Sequence, residues 1–174
     1  MRELEIELTF LAKMIPAEIK TAKPKRLKDI YIPEDSSFPV LRLRQNGEQY
    51  EITKKTPLKP GDFSGHTEHT IPLVQDEFEA LKNASKRVVE KDRYTVTIDG
   101  YQAEVDIFTG KLEGLIVLDF EFNTQQEKSQ FEPPACCLAD VTQEKFILGG
   151  QLAGASYADI EPELAKYNYR KLLP

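Results

Sequence analysis

Charged and apolar residues alternate along most strand-like segments of this chain, and the pattern predicts an antiparallel β-barrel with a polar interior. Successive side chains of a strand point to opposite faces, so each segment has one charged and one apolar face. On the charged parity the acids come as i, i+2 pairs: Glu5/Glu7, Glu104/Asp106 and Asp119/Glu121. Like charges so spaced repel and are not expected on a face selected for solubility alone. The same parity carries Glu68 and the bases Arg42, Arg44, Lys55, Lys91 and Arg93. An open sheet with a solvated charged face is the simpler alternative that periodicity permits. Closing the sheet with this face inward brings both signs together and removes the exposed edges. Such a cavity suits a polyanion bound with divalent cations. Carboxylates hold hard metals through oxygen, while arginine and lysine grip phosphate oxygens.

The elements follow in order. Residues 2–11 set Glu3, Glu5, Glu7 and Thr9 against Leu4, Ile6, Leu8 and Phe10, a strand. Pro16 opens a short helix over 16–23, and a strand near 27–32 leads into a loop through Pro33–Ser37. Residues 40–45 alternate Val40, Leu41 and Leu43 with Arg42 and Arg44. Residues 48–56 return from a turn at Asn46-Gly47. A loop from Pro57 to Gly65 precedes a strand over 66–72. An amphipathic helix over 74–84 carries Val74, Phe78 and Leu81. Strands over 87–98 and 102–108 meet at Asp99-Gly100, and another over 115–123 follows the turn Thr109-Gly110. Residues 124–135 read as a polar loop ending in Pro133-Pro134, with a strand near 138–142 and a helix near 158–167 beyond it.

Composition narrows the class. The 174 residues are 40% hydrophobic and 30% charged, as expected of one soluble globular domain spanning 1–174. The net charge of −6 argues against a nucleic-acid binder. No run approaches the ~20 apolar residues of a membrane span. The opening Glu3, Glu5 and Glu7 are unlike a secretory signal, so a cytoplasmic location is expected. Adjacent Cys136 and Cys137 make a poor disulfide and read as small apolar residues of a reducing compartment. His66 and His69 flank Glu68 on opposite faces and read as loop or strand-end histidines, with a metal role for either as the minor alternative. The cluster Lys23-Pro24-Lys25-Arg26-Leu27-Lys28 reads as a solvated loop, with steering of anions at a tunnel mouth as the alternative.

These residues resemble the CYTH superfamily, the triphosphate tunnel metalloenzymes. Its ExExK strand is matched by Glu5-Ile6-Glu7-Leu8-Thr9, its RxR strand by Arg42-Leu43-Arg44 and its TxK strand by Thr53-Lys54-Lys55. Glu68 matches a strand-opening glutamate, and Lys91-Asp92-Arg93-Tyr94 a KxRY element. The segment Glu104-Val105-Asp106-Ile107-Phe108-Thr109-Gly110-Lys111-Leu112-Glu113-Gly114-Leu115 matches the form ExDxFxGxLxGL. Asp119-Phe120-Glu121 stands where an ExE strand is usual, and Val141-Thr142 and Leu152-Ala153 resemble late VT and LA pairs. Each motif alone is weak; the ordered set is specific.

The resemblance implies an α+β fold, a closed eight-stranded antiparallel tunnel with helices outside. It implies a metal-dependent phosphohydrolase for a small-molecule triphosphate, using Mg²⁺ or Mn²⁺ held by Glu5, Glu7, Asp119 and Glu121. Arg42, Arg44, Lys55, Lys91, Arg93 and Lys145 would hold the phosphates. Glu5 and Glu7 would serve catalysis through the metal, with Asp106 or Glu68 taking the proton of the attacking water. A monomer or homodimer is expected, without nucleic-acid or membrane partners. The lysine that ends ExExK is Thr9 here, which offers a hydroxyl but no charge. Thr9 makes a non-catalytic polyphosphate or nucleotide binder an alternative to a triphosphatase; a class IV adenylate cyclase, a kind of enzyme the family contains, is the other.

Overall fold

The computed structural model describes residues 2–37 and 41–174, with side chains from Glu5 onward. Eight strands form a closed ring: β1 (Arg2–Ala12), β2 (Lys25–Ile32), β3 (Leu41–Asn46), β4 (Gln49–Pro57), β5 (Gly65–Leu73), β6 (Val88–Ile98), β7 (Tyr101–Phe108) and β8 (Ile116–Phe122). The spatial order is β5-β4-β3-β2-β6-β7-β8-β1, and β1 returns to β5 to close it. Every pairing is antiparallel. Tight turns set the registers. Ile98 faces Tyr101 across Asp99-Gly100, where φ angles of 49° and 86° suit a type I′ hairpin. At the other hairpin Asn46 pairs with Gln49, so the loop is Gly47-Glu48, one residue later than the sequence suggests. Val40, expected in β3, lies outside the described residues.

The barrel is polar inside, so its apolar core lies on the outer wall and at one end. On the outer wall Ile6, Phe10, Val105, Leu118 and Phe120 are buried. They are covered by the 3₁₀ turn Ala17–Thr21 and by Phe131. The short α1 (Gln75–Leu81) presses Phe78 against Ile30 and Leu43. At one end Leu11, Val89, Phe108 and Val117 meet Ile147 and Leu152 in a second apolar cluster. Leu152 belongs to α3 (Gly149–Leu152), and α4 (Tyr157–Ala165) adds Tyr157, Ile160 and Leu164 to the same cluster. Tyr169 fastens the tail there: its hydroxyl accepts from Ile116 N and donates to Gly114 O, each at 2.8 Å.

Several elements differ from the sequence reading. The helix expected over 16–23 is a single 3₁₀ turn, and the loop over 124–135 contains α2 (Gln125–Ser129). Thr124 caps that helix by accepting from Glu127 N at 3.1 Å, while Glu127 reaches back to Asn123 N. The strand expected near 138–142 is β9 (Cys137–Asp140), which hangs outside the ring on the far half of β1. The pairing there carries a register shift at Leu11/Ala12, beyond which Ala12 stands opposite Cys137.

Candidate active site

A cavity of about 340 Å³ runs inside the ring. Period-2 alternation decides what lines it, so the parity visible in the sequence becomes the tunnel wall. Glu5, Glu7, Glu68, Asp106, Asp119, Glu121, Arg42, Arg44, Lys55, Lys91 and Arg93 all face it. Lys145 does not. It is exposed on a 3₁₀ turn and borders a separate surface hollow with Ser37, Gly61 and Gln151. It lies on no strand, so no alternation turns its side chain toward the tunnel.

Registers bring the acids together from neighbouring strands. Glu7 stands opposite Glu121, Thr9 opposite Asp119, and Glu104 also opposite Asp119. On the other side of β1, Glu5 stands opposite His66, and Lys55 opposite Glu68. Lys55 Nζ sits 2.5 Å from Glu5, 3.6 Å from Glu68 and 3.9 Å from Glu7. Arg42 reaches Glu68 at 3.6 Å. Burial pushes the Glu5 carboxyl up in spite of Lys55, and Glu68 and Glu7 add to the rise. Burial raises Glu121 as well, reinforced by Glu104, Glu5 and Glu7. Asp119 is pushed up to about 7 by burial, then by Asp106 and Glu7. These rises mark a site crowded with negative charge.

Two carboxylates are committed to structure. Asp106, fully buried, accepts two bonds of 2.7 Å from Arg93 and a third from Lys91. Burial alone would raise its pKa, but Arg93 and Lys91 hold it well below the usual range. A carboxylate so engaged is a weak base, so the proton-accepting role expected for Asp106 is poorly served. Its contacts instead aim Lys91 and Arg93. Arg93 also contacts Glu104 and lies 3.9 Å from Asp119. Asp29, which the sequence reading passed over, accepts two 2.7 Å bonds from Arg44. Its only sequence signal is a single acid within the mostly apolar strand Leu27–Ile32.

Thr9 fills the lysine's place differently. Its hydroxyl donates to Asp119 Oδ1 at 2.7 Å, and its N–H donates to Thr142 Oγ1 at 3.0 Å. Thr142 is held in turn by Asp140, so the segment after β9 is tied to the tunnel wall. Thr9→Val is expected to lower stability by about 1–3 kcal/mol by leaving Asp119 short of a donor. Thermal denaturation checks it, with Thr9→Ser retaining the wild-type midpoint.

His66, read from sequence as a strand-end histidine, lines the tunnel within reach of Glu5 and Glu7. Its Nδ1 lies 3.7 Å from Glu7 Oε1, and burial lowers its pKa. Buried polar atoms in this part of the tunnel lack hydrogen-bond partners, among them Arg42 Nε, His66 Nδ1 and Glu68 Oε2. Unpaired donors and acceptors side by side fit a site completed by anion and cation together.

Comparisons with known proteins agree with this fold. The family model described as the CYTH domain matches residues 3–134. An inorganic triphosphatase of Nitrosomonas europaea is 36% identical over 143 residues, 81% of this chain and 91% of that protein. The crystal structure of an inorganic triphosphatase superposes with a TM-score of 0.64 at 31% identity, covering 87% of this chain and 95% of that one. A candidate adenylate cyclase of Bacillus halodurans shares the fold alone. Its TM-score is 0.55 at 14% identity, over 99% of this chain and 94% of that one. Among the described residues, no helix is long and apolar enough to cross a membrane.

Proposed function

This chain belongs to the CYTH domain family, and we propose that it hydrolyses inorganic triphosphate, with divalent metal, inside the charged tunnel. The observation that carries the metal requirement is the charge count of the wall. Eight carboxylates face five lysine and arginine side chains among the described residues. A triphosphate adds more negative charge to a site already in excess, so it needs divalent cations to be held there. The relative named as an inorganic triphosphatase supports that substrate over a nucleotide.

Glu5 and Glu7 would hold the metal, joined by Glu121 and Asp119 across β1 and β8. When bound, the metal neutralises charge on phosphate oxygens and orients the reacting group. Arg42, Lys55, Lys91 and Arg93 bind and orient the phosphates by charge-assisted hydrogen bonds. Arg44 adds its charge, with two of its donors taken by Asp29. Against burial, Lys55 and Arg42 lower the Glu68 carboxyl too. They stand 3.6 Å from its Oε2, however, rather than in the close bonds that engage Asp106, so Glu68 is the less committed proton acceptor of the two candidates. The whole chain works as one domain, with residues beyond 134 covering the apolar end of the barrel.

The test is phosphate release from inorganic triphosphate and from ATP, each with Mg²⁺ or Mn²⁺. Metal-dependent release that is faster from inorganic triphosphate is expected. Cyclic AMP and pyrophosphate from ATP would identify a cyclase instead. Thermal stabilisation by triphosphate without any release would identify a binder, with Thr9 as the reason chemistry was lost.

A further inference from the structure

We infer that His66 supplies a nitrogen ligand to the divalent cation held by Glu5 and Glu7, making a mixed oxygen and nitrogen site that favours Mn²⁺ over Mg²⁺. The inference rests on the metal-dependent reading above and names a ligand that the acid motifs do not include.

The register puts His66 directly opposite Glu5 in the β1–β5 pair, with Glu7 next along the same face. One ligand atom from each of the three lies within 4.8 Å of the others. His66 is 6% exposed, and its Nδ1 has no hydrogen-bond partner. At 3.7 Å, Glu7 Oε1 is too far to serve as one. A buried imidazole nitrogen left unpaired is costly, and a cation between it and the two carboxylates would remove that cost.

The backbone leading to the ring is held firmly, as a ligand's should be. Ser64 O accepts from Glu7 N at 3.1 Å, and Phe63 N donates to Gln143 at 3.1 Å. Asp62 accepts from Ser64 N and from its hydroxyl. The carboxylates already gather positive charge, since Lys55 Nζ stands within 4 Å of both Glu5 and Glu7. With a cation held there, Lys55 would give up these carboxylates, and its flexible stem would let the ammonium serve the phosphates instead.

The donor set decides the metal. Mg²⁺ demands oxygen ligands in near-ideal octahedral geometry and keeps several waters. Imidazole suits transition ions, and carboxylates still accept Mn²⁺. A site that adds one imidazole to its carboxylates therefore binds Mn²⁺ at an advantage that an all-oxygen site lacks.

The experiment titrates Mn²⁺ and Mg²⁺ alone, without triphosphate, into the full chain and into His66→Ala and His66→Gln by calorimetry. Loss of a partner one shell beyond a ligand already costs about 10–100-fold in metal affinity. Mn²⁺ is accordingly expected to weaken by at least about tenfold in both variants, and Mg²⁺ by less than about threefold. Equal losses for both ions, or no loss for either, would overturn the inference. Pulsed electron paramagnetic resonance of the wild-type Mn²⁺ complex is expected to show coupling to an imidazole nitrogen. Its absence overturns the inference even if both variants misfold. Nitrogen coupling with no phosphate release would spare this site and refute the proposed reaction; release without coupling would do the reverse.

Discussion

Phosphate release from inorganic triphosphate is expected to fall by about a thousandfold or more when Glu5 and Glu7 are both replaced by glutamine. A metal clamp supplies several kcal/mol of transition-state charge stabilisation, and each 1.4 kcal/mol or so is tenfold in rate. The two amides keep the size of the carboxylates but lose their charge, so the cation loses its principal oxygen ligands. The fold should survive. Burial raises the Glu5 carboxyl, and Glu68 and Glu7 add to the rise by like-charge repulsion, so replacing Glu5 and Glu7 by neutral amides relieves that crowding. Lys55 keeps Glu68 at 3.6 Å as a partner. Thermal midpoints at or above wild type are therefore expected beside the lost turnover. Full activity in the double variant would refute the assignment of these carboxylates to the metal.

Arg44→Met is expected to destabilise the chain by about 3–5 kcal/mol, the cost of stranding a buried charge. That is a fall of roughly 6–20 °C in thermal midpoint for a domain of this size. Asp29 is 2% exposed and takes both of its close bonds from Arg44. Burial would raise its pKa, but Arg44, aided by Arg42 and Lys91, holds it well below the carboxylate range. A depressed native pKa contributes stability that is fully present above the unfolded value of ~3.9 and is lost as pH falls toward the native one. In the variant, burial acts with less opposition and Asp29 takes up a proton more readily. The deficit relative to wild type should therefore be largest near pH 7 and shrink toward about pH 4. Denaturant titrations at both pH values check the trend, and a deficit that is constant with pH would refute it. The double variant Arg44→Met/Asp29→Leu should recover much of the loss, because no charge is left stranded.

The wall of the tunnel was legible because a strand writes its faces into the sequence. With a period of two, Glu5 and Glu7, Arg42 and Arg44, or Asp119 and Glu121 must share a face once the segment is extended. The inward choice was favoured too, since like charges paired on five of the eight strands make little sense on a solvated sheet. Period-2 patterning ends with β8; beyond it the helix expected near 158–167 forms as α4, but other features carry a weaker signal. The polar stretch after it hid α2, whose signal was only the Thr124–Glu127 capping pair. β9 lies outside the ring on β1, a placement that four residues of sequence cannot specify. Lys145 sat in a segment with neither period, and its side chain faces solvent.

By itself the sequence determined the secondary-structure parity, the inside-out polarity of the barrel and the residues available to its cavity, because these depend on local alternation. Tertiary structure alone decided which of those residues pair. Asp29 finds Arg44 across β2 and β3, Asp106 gathers Lys91 and Arg93, and Thr9 donates to Asp119 from a strand 110 positions away. His66 became a tunnel residue in the same way, through the β1–β5 register that closes the ring. Such contacts depend on strand order and shear, which set each residue's neighbours across the barrel and leave no trace in the spacing along one strand.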